Sequence, residues 1–221
     1  MVPGKFPLLY PILDAGFLPQ DLALRSEMLV RLVGGLAEAG VGILQYRNKQ
    51  GDVAEILRDA AAIQSSAPPH LRLILNDYSH LVAPTGFHGL HLGQTDMPPR
   101  RARDLLGPEA IIGLSTHNEA QLRVAVGEPV DYIAIGPVFA TNSKANPDPV
   151  IGLDGVRLAR RLANVPVIAI GGITLSSAPM VWGAGADSLA VISAIFGAGV
   201  DAAKAATAFL RAVEQLQPSV H

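Results

Sequence analysis

Two acids and three cations stand where apolar runs of the chain break off. Leu73–Leu75 leads straight into Asn76 and Asp77, and Asp96 closes the segment GLHLGQTD. Two neighbouring carboxylates, with phosphate oxygens completing the shell, are a usual way of holding magnesium. Asn76 can donate to a phosphate without adding negative charge. Each acid also has a plainer use, Asp77 as a turn residue bonding its own backbone and Asp96 as the cap of the next helix. In QYRNKQ the alternation of an extended chain sets Gln45, Arg47 and Lys49 on one side, a fan of donors suited to an anion. A solvated charge run is the simpler alternative. Lys144, in PVFATNSKANPDPV (137–150), either closes over a bound anion or faces solvent as an ordinary loop lysine.

Further polar groups follow other apolar runs. Gln94 comes after GLHLG, Ser115 ends AIIGLS, and Thr141 and Ser143 lie in the 137–150 stretch. Gly171-Gly172 follows VIA and Ile170, while Ile192-Ser193 follows SLAV. Glycines let a backbone approach an anion, and N–H groups at the start of a short helix can bind one. With no cysteine in the chain, thiol catalysis, disulfides and zinc-thiolate sites are excluded. His88 and His91 stand three apart on a strand-like run, so they point to opposite faces and share no metal site easily. His117 reads as a helix-start residue. No Ser/His/Asp nucleophilic arrangement stands out. Two anion sites, one with metal ligands, suggest a two-substrate transfer with diphosphate as leaving group.

Residues so spread can meet only if the fold gathers strand ends. Apolar runs at 8–13, 42–47, 72–76, 89–93, 110–115, 132–136, 167–171 and 188–192 read as strands, mostly continuous rather than alternating, as parallel strands covered on both faces are. Between them lie helical patterns at 26–40, 52–66 and 118–126, and Thr116 with Glu119 fits a capping box. Such alternation in 221 residues favours one α/β domain over residues 1–221, a single (β/α)8 TIM barrel, over an open doubly wound sheet. Functional residues of such barrels sit at the C-terminal ends of the strands. The 49% hydrophobic and 16% charged composition fits a packed globular domain. A net charge of −2 argues against nucleic acid, and RRAR at 100–103 reads as a solvated helix face. Nothing approaches the ~20 apolar residues of a membrane span, and the N-terminus lacks a secretory pattern. A cytoplasmic location is the default. A homo-oligomer is compatible with the sequence and not fixed by it.

The segments ILQYRNK, LILNDY, GLHLGQTD, IIGLSTHNEAQL, DYIAIGPVFATNSK, VPVIAIGGIT and ADSLAVISAIF, in this order, resemble the thiamine phosphate synthase (thiamine-phosphate pyrophosphorylase) family from about residue 8 to residue 197. The resemblance implies a magnesium-dependent transferase. Its two small-molecule substrates are 4-amino-5-hydroxymethyl-2-methylpyrimidine diphosphate and 4-methyl-5-(2-phosphoethyl)thiazole, and its products are thiamine phosphate and diphosphate. It further implies Asp77 and Asp96 as magnesium ligands, and Gln45, Arg47, Lys49, Asn76, Ser115 and Lys144 around the pyrimidine diphosphate. Arg47, Lys49, Lys144 and Ser115 would act in the chemistry. Thr141, Ser143, Gly172, Ile192 and Ser193 would hold the thiazole phosphate. The family reaction is dissociative, so no protein nucleophile is required.

The chain departs from the family pattern at Asn48, where an acid is common, at Ser143, where threonine is usual, at Tyr78, where arginine or a similar polar residue is usual, and in ANPDPV. A thiazole tautomerase of the same fold is the nearest rival, but it carries a histidine where this chain has Pro137. A phosphate-ligand sensor without catalysis is the rival from another class, and it would have no need of the full charged set.

Overall fold

A computed structural model of the chain describes residues 6–141 and 148–214. Strands β1 (Leu9–Asp14), β2 (Ile43–Arg47), β3 (Arg72–Asn76), β4 (Gly89–Leu92), β5 (Ile111–Thr116), β6 (Tyr132–Ile135), β7 (Val167–Ile170) and β8 (Ser188–Val191) form a closed parallel barrel in chain order, with β8 returning to β1. Each lies within about one residue of the run that predicts it. The parallel ladder places strand ends, and whatever follows them, around a single rim.

Helices α1 (Leu22–Glu38), α2 (Val53–Ser66), α3 (Val82–Thr85), α4 (Pro99–Leu106), α5 (Glu119–Ala125), α6 (Gly152–Leu162), α7 (Ala178–Gly183), α8 (Ser193–Phe196) and α9 (Ala202–Glu214) cover the outside. The first starts four residues before the helical pattern at 26–40, because the Asp21 carboxylate accepts from the N–H groups of Ala23 and Leu24 and so caps it earlier. Asp52 caps α2 in the same way through Glu55. The expected capping box does not form. Thr116 is still strand, with its buried hydroxyl donating to the Ala134 carbonyl at 2.9 Å, and Asn118 caps α5 instead. No helix among the described residues is long and apolar enough to cross a membrane.

Apolar side chains fall into two groups because successive strand residues face opposite ways. Outward ones, such as Leu13, Leu44, Leu75 and Leu90, pack against the helices. Inward ones, Tyr10, Ile12, Ile43, Ile74, Tyr132, Ala134, Ile168 and Ala190, fill the barrel with Phe6 among them. Tyr132 needs more room than one layer provides. A Cβ on the adjacent Gly113 would overlap its ring, so the glycine makes space for this large interior side chain. The filled interior forms the floor of the site above it.

Behind β2 lies a buried polar cluster. Arg25 of α1 grips the Asp59 carboxylate of α2 with Nε at 2.9 and 3.0 Å and Nη2 at 2.7 Å. Tyr46 donates to the same carboxylate, and burial raises the phenol pKa well above its ordinary value. Asn48 donates to Glu55 at 2.7 Å and to Tyr46 at 3.2 Å, and receives the N–H of Gly51 at 2.7 Å. The departure at Asn48 therefore lies outside the barrel, where it ties the loop carrying Lys49 to α2.

Candidate active site

The C-terminal ends of the strands open onto a cavity of about 490 Å³. Its walls bring together most of the residues singled out by type and spacing. From β2 and its loop come Gln45, Arg47 and Lys49, and from the end of β3 come Asn76 and Asp77. Gln94 and Asp96 follow β4, Ser115 lies on β5, and Thr141 lies on the loop after β6. Gly171, Gly172, Ile192 and Ser193 close the far side. Ser143, Lys144 and residues 145–147 of the unusual loop lie outside the described residues. Tyr78 is half-buried and packs on the outer core, away from the cavity wall.

Asp77 is the one non-glycine residue with positive φ, at 67°, among the described residues. Aspartate tolerates this conformation better than most side chains. The turn is tied to strand β4, since Asp77 N–H donates to the His91 carbonyl at 3.0 Å. Asn76 donates to Asp77 Oδ1 at 2.6 Å, and Lys49 pairs with Oδ2. Burial raises the Asp77 pKa and the neighbouring Asp96 raises it further, while Lys49 pulls it down. The two acids are thus close enough to act on each other. Asp96 takes the N–H of Gly93 at 2.7 Å, whereas α4 is entered through Pro98 with no side-chain cap. The helix-cap alternative for Asp96 is therefore excluded.

Arg47 stands beside Asp14, its register partner on β1, and pairs with it. Across the cavity the backbone takes over from charged side chains. Gly171 and Gly172 have φ of 101° and 64°. A Cβ on Gly172 would stand 2.5 Å from the Ala140 carbonyl, so the chain can pass there only as glycine. Ser193, the first residue of α8, lines the same cavity, and the backbone N–H of a first helical residue has no partner within its helix.

Several lining residues escaped the sequence reading. His91 lies in register with Asn76 and Gly113, and so faces the barrel interior. There its ring nitrogens meet Ser115 Oγ at 2.8 Å and Tyr132 Oη at 2.9 Å. Alternation already separates it from His88, and carrying the same alternation across from Asn76 would have placed it inside. His117 is not merely a helix-start residue, since its Nδ1 lies 2.7 Å from the Gly136 carbonyl and 3.5 Å from Asp148. Gln121 Oε1 receives the His117 N–H at 2.7 Å. Nothing in the local pattern marks these last contacts.

Among the described lining residues, three carboxylates (Asp77, Asp96 and Asp148) face two cations (Arg47 and Lys49). Such a wall does not attract a free diphosphate, but it suits one that arrives with a divalent cation. No group of three or more His, Asp or Glu among the described residues could hold a metal by itself. A two-carboxylate site that needs substrate oxygens to complete it fits magnesium, and does not fit a structural metal.

A family model described as thiamine monophosphate synthase matches residues 9–195. A thiamine-phosphate synthase from Koribacter versatilis is 48% identical over 209 residues, covering 94% of this chain and 96% of the relative. One from Chloroflexus aurantiacus is 36% identical over 206 residues, covering 93% and 91%. Among solved structures, thiamine phosphate pyrophosphorylase from Pyrococcus furiosus superposes with a TM-score of 0.81 at 29% identity, over 96% of this chain and 97% of the other.

Proposed function

The chain belongs to the thiamine monophosphate synthase family, and from that premise we propose that its cavity condenses 4-amino-5-hydroxymethyl-2-methylpyrimidine diphosphate with 4-methyl-5-(2-phosphoethyl)thiazole, giving thiamine phosphate and diphosphate. The observation that carries this reading is the meeting of Asp77 and Asp96 on one wall with Gly171-Gly172 and Ser193 on the other. One wall suits a metal-bound diphosphate, the other a phosphate monoester.

Asp77 and Asp96 would hold magnesium, which when bound neutralises charge on the diphosphate and makes it a better leaving group. Arg47 and Lys49 exchange their carboxylate partners for diphosphate oxygens, and Asn76 adds an amide donor. Lys144, outside the described residues, would add a further positive charge for the diphosphate. The C–O bond to the pyrimidine methylene breaks with both electrons leaving on diphosphate. The aminopyrimidine spreads the resulting positive charge, and the thiazole nitrogen then forms the new C–N bond. No side chain needs to act as nucleophile.

The protein's contribution is charge placement and dryness. A unit charge pair 4 Å apart at an effective dielectric of 20 contributes about 4 kcal/mol, roughly a thousandfold in rate if gained only in the transition state. Arg47, four-fifths buried, retains more of this than Lys49, whose side chain is 49% exposed. Ile12, Ile170, Ile192 and Pro137 line the space where the cation forms and limit its capture by water. Thr141, Ser143, Gly172, Ile192 and Ser193 hold the thiazole phosphate, with Gln45 and Ser115 placed against the pyrimidine diphosphate. A cytoplasmic location accords with this chemistry.

The test is release of diphosphate from the two substrates, with and without magnesium. Equimolar diphosphate and thiamine phosphate, formed only with metal and both substrates, is the expected result. Isomerisation of the thiazole alone, or binding without turnover, would refute it.

A further inference from the structure

Below the cavity the barrel interior holds an unbroken line of hydrogen bonds joining two residues of its wall. Gln45 Nε2 donates to Tyr10 Oη at 3.1 Å, and Tyr10 Oη lies 2.8 Å from Tyr132 Oη. Tyr132 Oη lies 2.9 Å from His91 Nδ1, and His91 Nε2 lies 2.8 Å from Ser115 Oγ. Gln45, Tyr10, Tyr132 and His91 are all buried, so water does not compete for these contacts. The Tyr132 ring stacks on His91 at 5.6 Å and meets Tyr10 edge-on at 5.7 Å, which holds the hydroxyls in line.

We infer that Tyr132 is a positioning residue for the reaction: through a chain running one way, it holds His91 with its proton on Nε2 and leaves the Ser115 hydroxyl proton turned toward the cavity. With the Gln45 amide turned so that Nε2 meets Tyr10, the sense of the chain follows from donor counting. An amide NH2 can only donate, so Tyr10 oxygen accepts from Gln45. The Tyr10 proton then goes to Tyr132, and the Tyr132 proton to His91 Nδ1. A bare Nδ1 requires the imidazole proton to sit on Nε2, where it is donated to Ser115. Ser115 Oγ thus accepts from below, and its own proton faces the substrate side.

The opposite sense fails at one atom. If His91 Nδ1 carried the proton, Tyr132 would donate to Tyr10, whose oxygen would receive both Gln45 and Tyr132. The Tyr10 proton would then have no acceptor among the described residues, at a side chain 1% exposed. A buried hydroxyl donor without a partner is costly. Burial also holds the phenols of Tyr10 and Tyr132 well above their ordinary pKa, so both remain donors.

The catalytic consequence rests on Ser115 touching substrate, as proposed above, whereas the tautomer of His91 does not. Histidine-labelled ¹⁵N NMR of the free full-length protein reads the tautomer, and steady-state kinetics of Tyr132→Phe, Ser115→Ala and the double variant read the consequence. The wild-type spectrum should show His91 with a bare Nδ1 and a protonated Nε2, and Tyr132→Phe should lose that fixed pattern. Tyr132→Phe should lower kcat about tenfold with KM for both substrates little changed, and add nothing to Ser115→Ala. A protonated Nδ1 in the wild type, or losses that multiply in the double variant, overturns the inference. Unchanged turnover in Ser115→Ala, beside the expected spectrum, overturns instead the substrate role given to Ser115.

Discussion

Replacing Asp77 by asparagine separates charge from shape. Asparagine tolerates the φ of 67° that Asp77 adopts and can still accept from Asn76 through its one oxygen, but it loses the negative charge and turns the oxygen that meets Lys49 into an NH2 donor. A unit charge interaction at 4 Å and an effective dielectric of 20 contributes about 4 kcal/mol. Metal entry must also displace Lys49 from the carboxylate, and the cavity mouth is open to water. Taking about half, ~2 kcal/mol, Asp77→Asn should weaken magnesium roughly thirtyfold. The assay is thiamine phosphate formation titrated with magnesium at saturating substrates. The midpoint should move about thirtyfold upward, with turnover partly restored at high metal. A midpoint that does not move would refute the assignment of Asp77 as a ligand, whatever happens to turnover.

Other outcomes follow from the same geometry. Because burial and Asp96 raise the Asp77 pKa, the folded protein binds its proton more tightly than the unfolded chain does. Stability therefore falls as pH rises from the ordinary carboxylate range through the raised value. Metal-free Asp77→Asn should lose that part of the slope and melt no lower than wild type at neutral pH, which thermal unfolding at several pH values would check. Asp59→Ala leaves the buried Arg25 guanidinium with Glu55 as its remaining carboxylate partner, and should cost about 2–3 kcal/mol in a denaturant titration. Gly172→Ala meets both a positive φ and the Ala140 carbonyl, and should raise KM for the thiazole phosphate about tenfold or more while leaving the magnesium midpoint in place.

The barrel was legible because its strands are covered on both faces and therefore read as continuous apolar runs, those of β2, β3 and β4 ending close to polar residues. Asp77, Asp96, Arg47 and Lys49 could be placed on one rim from that fact alone. The misread capping box at Thr116 shows the limit of local pattern, since β5 runs one residue further and Asn118 is better placed to cap. Asn48 departs from the family pattern, and the structure sets it against Glu55 and Tyr46 outside the barrel, contacts that need α2 in place. His91 and Tyr132 escaped because their partners are on other strands, and interior contacts depend on register. Asp14 was hidden for the same reason, as its meeting with Arg47 is set by the pairing of β1 with β2.

A crystal soaked with manganese and inorganic diphosphate would test the central claim most directly, through the anomalous signal of the metal. The account predicts one peak between the Asp77 and Asp96 carboxylates, with diphosphate oxygens completing the shell and Arg47 and Lys49 turned onto the anion. A metal bound elsewhere, or a diphosphate seated there without any metal, would contradict it.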